Sequence, residues 1–304
     1  MMTLAILTII DVMASAGLRK TNKNHLDTFN KVMNDTLDAD ILIMGNSRGG
    51  CSYNPYYFDS ILSQNTWNIS VSGQPFGVSY LRYSLYMHNN IPPKLILLNI
   101  DYAEMGMYLN GYEREQYFPY IKDKRLYKTL KDNEFSWLDF HFPLYRYRGN
   151  YKYVGIGLSE FFGIYHIKSK RYKGYFNENS SWDGTGLKKQ IACGRKIICR
   201  MDDEAYYLMN VFMETAKDNG TKVVMVYAPV YHELKENLES KNDTLMKRYE
   251  ELSCKFDVPI LDYTSLPMNY DTTCFYNANH VNTKGATMFS IRLAQDIDSL
   301  GILK

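Results

Sequence analysis

Two residues of this chain have the side chains that nucleophilic catalysis requires, and both stand at positions from which they could meet. They are Ser47, in "ILIMGNSRGG" (41–50), and His280, in "CFYNANHVNTKGATMFS" (274–290). A serine hydroxyl is a weak nucleophile until a base takes its proton, and that base needs a third group to hold its tautomer. Ser47 follows an apolar run and sits in a Gly-rich turn that would present its side chain openly; otherwise it is an ordinary turn or N-cap residue. His280 stands just ahead of a helix whose start is signalled by Asn282 or Thr283. A working pair requires His280 Nε2 within about 4 Å of Ser47 Oγ. The remaining histidines have less positional logic. His141 and His166 lie in irregular sequence, while His25, His88 and His232 look like surface or helix-end residues.

The elements that must position such a pair are legible as apolar runs of strand length. They fall at Asp40 to Met44, Trp67 to Val71, Leu95 to Ile100, Lys222 to Tyr227 and Val258 to Leu261. None alternates cleanly, which is the pattern of strands buried on both faces in a parallel sheet. Helical patterns lie between and after them: Tyr56 to Leu62, Gly77 to His88, Asp203 to Asn219, Leu234 to Lys255, and Thr283 to about Leu300. This alternation predicts an α/β fold with a doubly wound, mostly parallel five-stranded sheet in flavodoxin-like order. Active residues in such folds gather at the carboxyl ends of strands, and Ser47 comes just after the first.

Between strands 3 and 4 the alternation stops, and about 103–200 reads as a tyrosine-rich insertion or lid over that edge. The expected organisation is an N-terminal apolar segment and leader helix over 1–38 and one α/β domain over 39–304. The segment Met1 to Ile10 is apolar, followed by Asp11, small residues, Arg19 and Lys20. It is short for a transmembrane helix, and the expectation is export or membrane attachment through it, hence an extracytoplasmic location.

The chain has 304 residues, 45% hydrophobic and 22% charged, with a net charge of +2. That balance, with both signs interspersed, excludes a basic nucleic-acid-binding face. The 27 tyrosines suit sugar stacking as well as ordinary core and interface packing. Cys51, Cys193, Cys199, Cys254 and Cys274 form no CxxC pair, and the scattered histidines form no metal spacing, so neither a metal nor a cofactor is expected. Cys193 and Cys199 are near enough for a bridge in an oxidising compartment. Cys51 reads as a small buried residue. Gly45, Gly49 and Gly50 match neither a P-loop nor a dinucleotide fingerprint.

Taken in order, "ILIMGNSRGG", "WNISVSGQPFG", "PKLILLNIDYAE" and "FYNANHVNTKGATMFS" resemble the successive blocks of the SGNH (GDSL-like) hydrolase superfamily. The nearest resemblance is to its extracytoplasmic branch, which works beside membrane-bound O-acyltransferases in acylating cell-envelope polysaccharides or exopolysaccharides. The resemblance implies Ser47 as nucleophile, His280 as general base, and the backbone N–H groups of Ser47 and Gly73 as the oxyanion hole. It also implies a glycan or another acylated small molecule as substrate, with a membrane-bound O-acyltransferase as partner. Arg48 would either pair with an acidic residue to fix the turn or bind substrate, and Gln74 is a further substrate-binding candidate.

Two positions depart from the family pattern. Asn277 stands three residues before His280 where the family has Asp. An amide can orient the imidazole but cannot stabilise the imidazolium, and Asp271 or Asp262 are the nearby carboxylates that would substitute. In the third block Asn99 and Asp101 lack the Gly that precedes the Asn-Asp pair of hydrolytic members. Asp101 and Glu104 would bind a substrate hydroxyl or cap the next element. The function expected is a serine-dependent esterase or O-acetyltransferase acting on acyl groups of a glycan. The alternative is a catalytically impaired glycan-binding or scaffolding protein on the same fold.

Overall fold

A computed structural model describes residues 2–88, 90–102, 113–133, 135–194, 196, 201–238 and 242–303. The N-terminal helices α1 (Met2–Leu18) and α2 (Asn24–Met33) precede β1 (Ile41–Met44), α3 (Ser47–Ser52), α4 (Pro55–Leu62), β2 (Thr66–Asn68), α5 (Phe76–Tyr86) and β3 (Leu95–Ile100). The segment after β3 holds α6 (Lys124–Asn133), α7 (Trp137–His141), α8 (Lys152–Phe161) and α9 (Thr185–Ala192). The chain then returns to the sheet through α10 (Asp203–Asp218) and β4 (Lys222–Tyr227), α11 (His232–Glu236), α12 (Asn242–Phe256) and β5 (Ile260–Asp262). A hairpin of β6 (Phe275–Asn277) and β7 (His280–Val281) leads into α13 (Thr283–Ser299).

The five strands form one all-parallel sheet in the order β2-β1-β3-β4-β5. Every residue of β1 and β3 is buried, as continuous apolar strands covered on both faces must be. In this order the direction of winding reverses between β1 and β3, so a crevice opens beyond their carboxyl ends. Ser47 follows β1 there and Asp101 follows β3.

The differences from the sequence expectations have local causes. β2 stops at Asn68 because the Asn68 side chain turns inward: its Nδ2 donates to the carbonyls of Gly49 and Tyr53, and its Oδ1 accepts from Ser70 N. The chain still tracks β1, with Ile69 N and Val71 N donating to Ile43 O and Gly45 O. The single helix expected over Leu234 to Lys255 is two, α11 and α12, with 239–241 between them outside the described residues. His280 lies on the second strand of a tight antiparallel hairpin rather than on a plain loop. α2 contributes Leu26, Phe29, Val32 and Met33 to the core.

Candidate active site

The Ser47 turn is built from its neighbours' demands. Asn46 caps α3, its Oδ1 accepting from Arg48 N at 3.0 Å, which sets Ser47 as the first helical residue at the lip of the crevice. Gly45 can carry no side chain, since a Cβ there would come within 2.7 Å of Asn99 Cβ. Gly49 is held to the same size, because a Cβ would meet Ser70 Oγ at 2.6 Å. The Gly-rich sequence thus lets α3 lie directly against β2 and β3.

His280 reaches this turn from the hairpin. Its Nε2 is 2.8 Å from Ser47 Oγ, and its Nδ1 is 3.0 Å from Asn277 Oδ1. The same Oδ1 accepts from the backbone amide of Asn279 at 2.9 Å. A backbone N–H can only donate, so it is the oxygen end of the Asn277 amide that faces the imidazole. Nδ1 therefore carries the ring proton, and the Nε2 lone pair points at the serine hydroxyl. The Tyr276 ring stacks on the imidazole at 5.3 Å, nearly parallel, and Tyr102 OH bonds Asn279 Oδ1, tying the hairpin to the end of β3.

The electrostatics of the site come from a buried ion pair beneath it. Arg48 Nη1 donates to Asp101 Oδ1 at 2.8 Å, with both side chains 3% exposed. Asp101 Oδ2 also accepts from Asn46 Nδ2, and Arg48 Nη2 donates to Ala228 O at the end of β4. The guanidinium lies between the rings of Tyr102 and Tyr227, 5.3 Å from each centroid. Burial and, after it, the Arg48 charge lower the His280 pKa to about 4 against the opposing pull of Asp101. His280 is thus an uncharged base at neutral pH. Burial also pushes the neighbouring Cys51 thiol up to about 12, leaving it inert.

The other candidates lie as follows, Arg48 taking the first of its two expected roles. Arg48 and Asp101 pair with each other under the turn and are not among the residues that line the cleft. Gln74 is buried and borders, with Asn46, Asn99 and Asp101, a hollow of about 20 Å³, large enough for one water. Asp271 and Asp262 do not replace the missing carboxylate. Asp271 is held by Thr273 and Lys284, which lower its pKa to about 2, and Asp262 accepts from Thr264. Glu104 and Cys199 lie outside the described residues. Cys51, Cys193, Cys254 and Cys274 are free thiols.

Ser47, His280, Ser72 and Gly73 open onto a cleft of about 510 Å³. Gly73 adopts the left-handed conformation, φ 63°, that turns the chain at this rim. The opposite wall comes from the segment after β3. Phe176 and Asn177 stand there with Lys170 and with Arg171, which pairs with Glu113 at 3.0 Å and lies 3.8 Å over the Phe176 ring. Phe176 is held in place by its N–H, which donates to Gly50 O on α3. These wall residues carry no sequence signal, since their segment has no period.

Comparison with known proteins finds similar solved structures, among them two from Bacteroides. A protein assigned as an acylhydrolase from Bacteroides fragilis matches with a TM-score of 0.42 and 13% identity, over 87% of this chain and 88% of its own. A GDSL-like lipase from Bacteroides thetaiotaomicron matches with a TM-score of 0.44 and 12% identity, over 91% of this chain and 100% of its own. No family model matches the chain, and no curated protein matches it.

Proposed function

We propose that this chain is an SGNH-type serine esterase or O-acetyltransferase that works on acyl groups of a glycan through an acyl-enzyme on Ser47. The carrying observation is the relay from Ser47 Oγ to His280 Nε2, 2.8 Å, and from His280 Nδ1 to Asn277 Oδ1, 3.0 Å. Ser47 Oγ attacks the ester carbonyl while Nε2 takes its proton. The tetrahedral oxyanion is received by the backbone N–H groups of Ser47 and Gly73. As the intermediate collapses, His280 returns the proton to the leaving alcohol, and the acyl group stays on Ser47. Water or a sugar hydroxyl, deprotonated by the same nitrogen, then releases it.

A glycan is supported by the cleft. Its volume is that of a small-molecule site, and Tyr276 and Phe176 line it beside the polar side chains of Asn177 and Lys170. One observation favours the second reading, a glycan-binding protein that no longer turns over. The group on His280 Nδ1 is an uncharged amide, so the imidazolium formed during attack has no carboxylate against it. Hydrolysis of p-nitrophenyl acetate by the parent and by Ser47→Ala separates the two. The esterase reading expects turnover that Ser47→Ala abolishes, and turnover that is unchanged in Ser47→Ala, or undetectable in both, supports the binding protein.

A further inference from the structure

The first half of α1 leaves the body of the protein. Residues 2–9 are all exposed, among them Met2 at 80%, Ile6 at 49% and Ile9 at 58%. At about 100° per residue, Met2, Ile6, Leu7, Leu4, Val12 and Ile9 fall around the whole circumference. A helix that is apolar all round demands an apolar medium on every side, whereas a docked protein covers one face.

The attachment of this helix begins abruptly at Asp11. Asp11 accepts from Leu144 N and from Arg146, Ser15 bonds Arg146 and Tyr147, and Thr21 bonds Glu160. Between these points α1 and α8 touch backbone to backbone: a Cβ on Gly17 would meet Gly157 O at 1.7 Å, and one on Gly157 would meet Ala14 O at 2.2 Å. The helix is therefore a rigid projection on a fixed base.

Around that base stand exposed aromatic rings. Phe142 lies two residues before the Leu144 amide that Asp11 holds, Trp137 packs on Phe142 at 5.9 Å, and Tyr151 is the N-cap of α8. Cations accompany them. Lys122 borders the same hollow as Asp11 and Val12, and Lys152 opens α8, while the Asp11 charge is matched by Arg146. Amphipathic aromatic rings and lysines beside an apolar helix are the composition of a membrane–water interface.

We propose that α1 inserts its residues 2–10 into a lipid bilayer bearing anionic headgroups, with Trp137, Phe142 and Tyr151 at headgroup depth and Lys122 and Lys152 facing the phosphates. Residues 2–10 rise about 14 Å along the helix axis. No helix among the described residues is long and apolar enough to cross a membrane.

Flotation of the full chain on vesicles tests this, using phosphatidylcholine alone, phosphatidylcholine with 30 mol% phosphatidylglycerol, and no lipid. The parent is expected to float with the vesicles, about tenfold more with the anionic lipid. Ile6→Asp/Ile9→Asp should lose flotation, and Lys122→Glu/Lys152→Glu should lose only the preference for anionic lipid, both with unchanged thermal midpoint and p-nitrophenyl acetate hydrolysis. Failure of the parent to float on any vesicle, or flotation of the Asp variant at the parent's level, overturns the proposal. A lipid-free dimer in sedimentation velocity that the Asp variant dissolves, with no vesicle binding by the parent, assigns the helix to a second copy of the chain instead.

Discussion

Asn277 Oδ1 lies 3.0 Å from His280 Nδ1 and 2.9 Å from Asn279 N, so one amide oxygen fixes the imidazole tautomer while a backbone donor fixes the amide. Orientation is thus supplied in full and charge is not. In serine proteases, replacing the equivalent carboxylate by an amide lowers turnover by about four orders of magnitude. Asn277→Asp is expected to raise kcat on p-nitrophenyl acetate by about 10- to 1,000-fold, within that limit, and Asn277→Ala to lower it. Steady-state kinetics of the three proteins check this, and an Asp variant no faster than the parent would refute it.

The pH profile follows from the depressed pKa of His280. With burial and Arg48 holding it near 4, the unliganded protein keeps this imidazole unprotonated well below the range of an ordinary histidine. The kcat/KM profile is expected to stay level as pH falls from 8 to about 5 and to halve near 4. In Asn277→Asp the new carboxylate favours the imidazolium, so this limb moves up. Stability shifts in the same window. The unfolded histidine takes a proton as pH falls through about 6.5 while the folded one does not, so its contribution is full above about 6.5 and lost toward 4. Urea unfolding should show a stability loss on the order of a few kcal/mol between these limits, reduced in His280→Gln.

The Arg48–Asp101 pair anchors the Ser47 turn from below. Arg48→Met leaves a buried carboxylate without its cation and is expected to cost about 3–5 kcal/mol in denaturant unfolding. Arg48→Met/Asp101→Leu should recover part of that loss. Because Arg48 also depresses the His280 pKa, the acid limb of kcat/KM should rise in any Arg48→Met protein that folds.

Close packing behind the hairpin gives a contrast between glycines. A Cβ on Gly285, in the first turn of α13, would come within 2.2 Å of Cys274 O, whereas one on Gly155, inside α8, meets nothing within 4 Å. Gly285→Ala is expected to destabilise by about 1–3 kcal/mol and to lower activity by displacing His280. Gly155→Ala is expected to stabilise by about 0.5–1 kcal/mol without touching kcat. Thermal unfolding with parallel kinetics separates the two.

The sheet was readable because β1, β3 and β4 are apolar runs, and β3 and β4 fall on the residues expected, whereas β2 and β5 are three residues each and shifted from the expected runs. Ser47 and His280 were readable because each adjoins a strong signal, the end of a strand and the start of a helix. Arg48 allowed two readings in the sequence, since nothing local tells whether a guanidinium faces a carboxylate 53 residues away or a ligand. The cleft wall at Lys170, Arg171, Phe176 and Asn177 was not readable, because long-range packing alone brings an irregular segment to α3. The hairpin escaped for a similar reason: strands of three and two residues are too short to show a period.

Whether Ser47 is a nucleophile activated by His280 is decided by treating the protein with a fluorophosphonate and mapping the adduct by peptide mass spectrometry. A stoichiometric adduct is expected on Ser47, forming faster in Asn277→Asp and absent in Ser47→Ala and His280→Gln. An unlabelled Ser47 in both the parent and Asn277→Asp, with the fold intact, would contradict it.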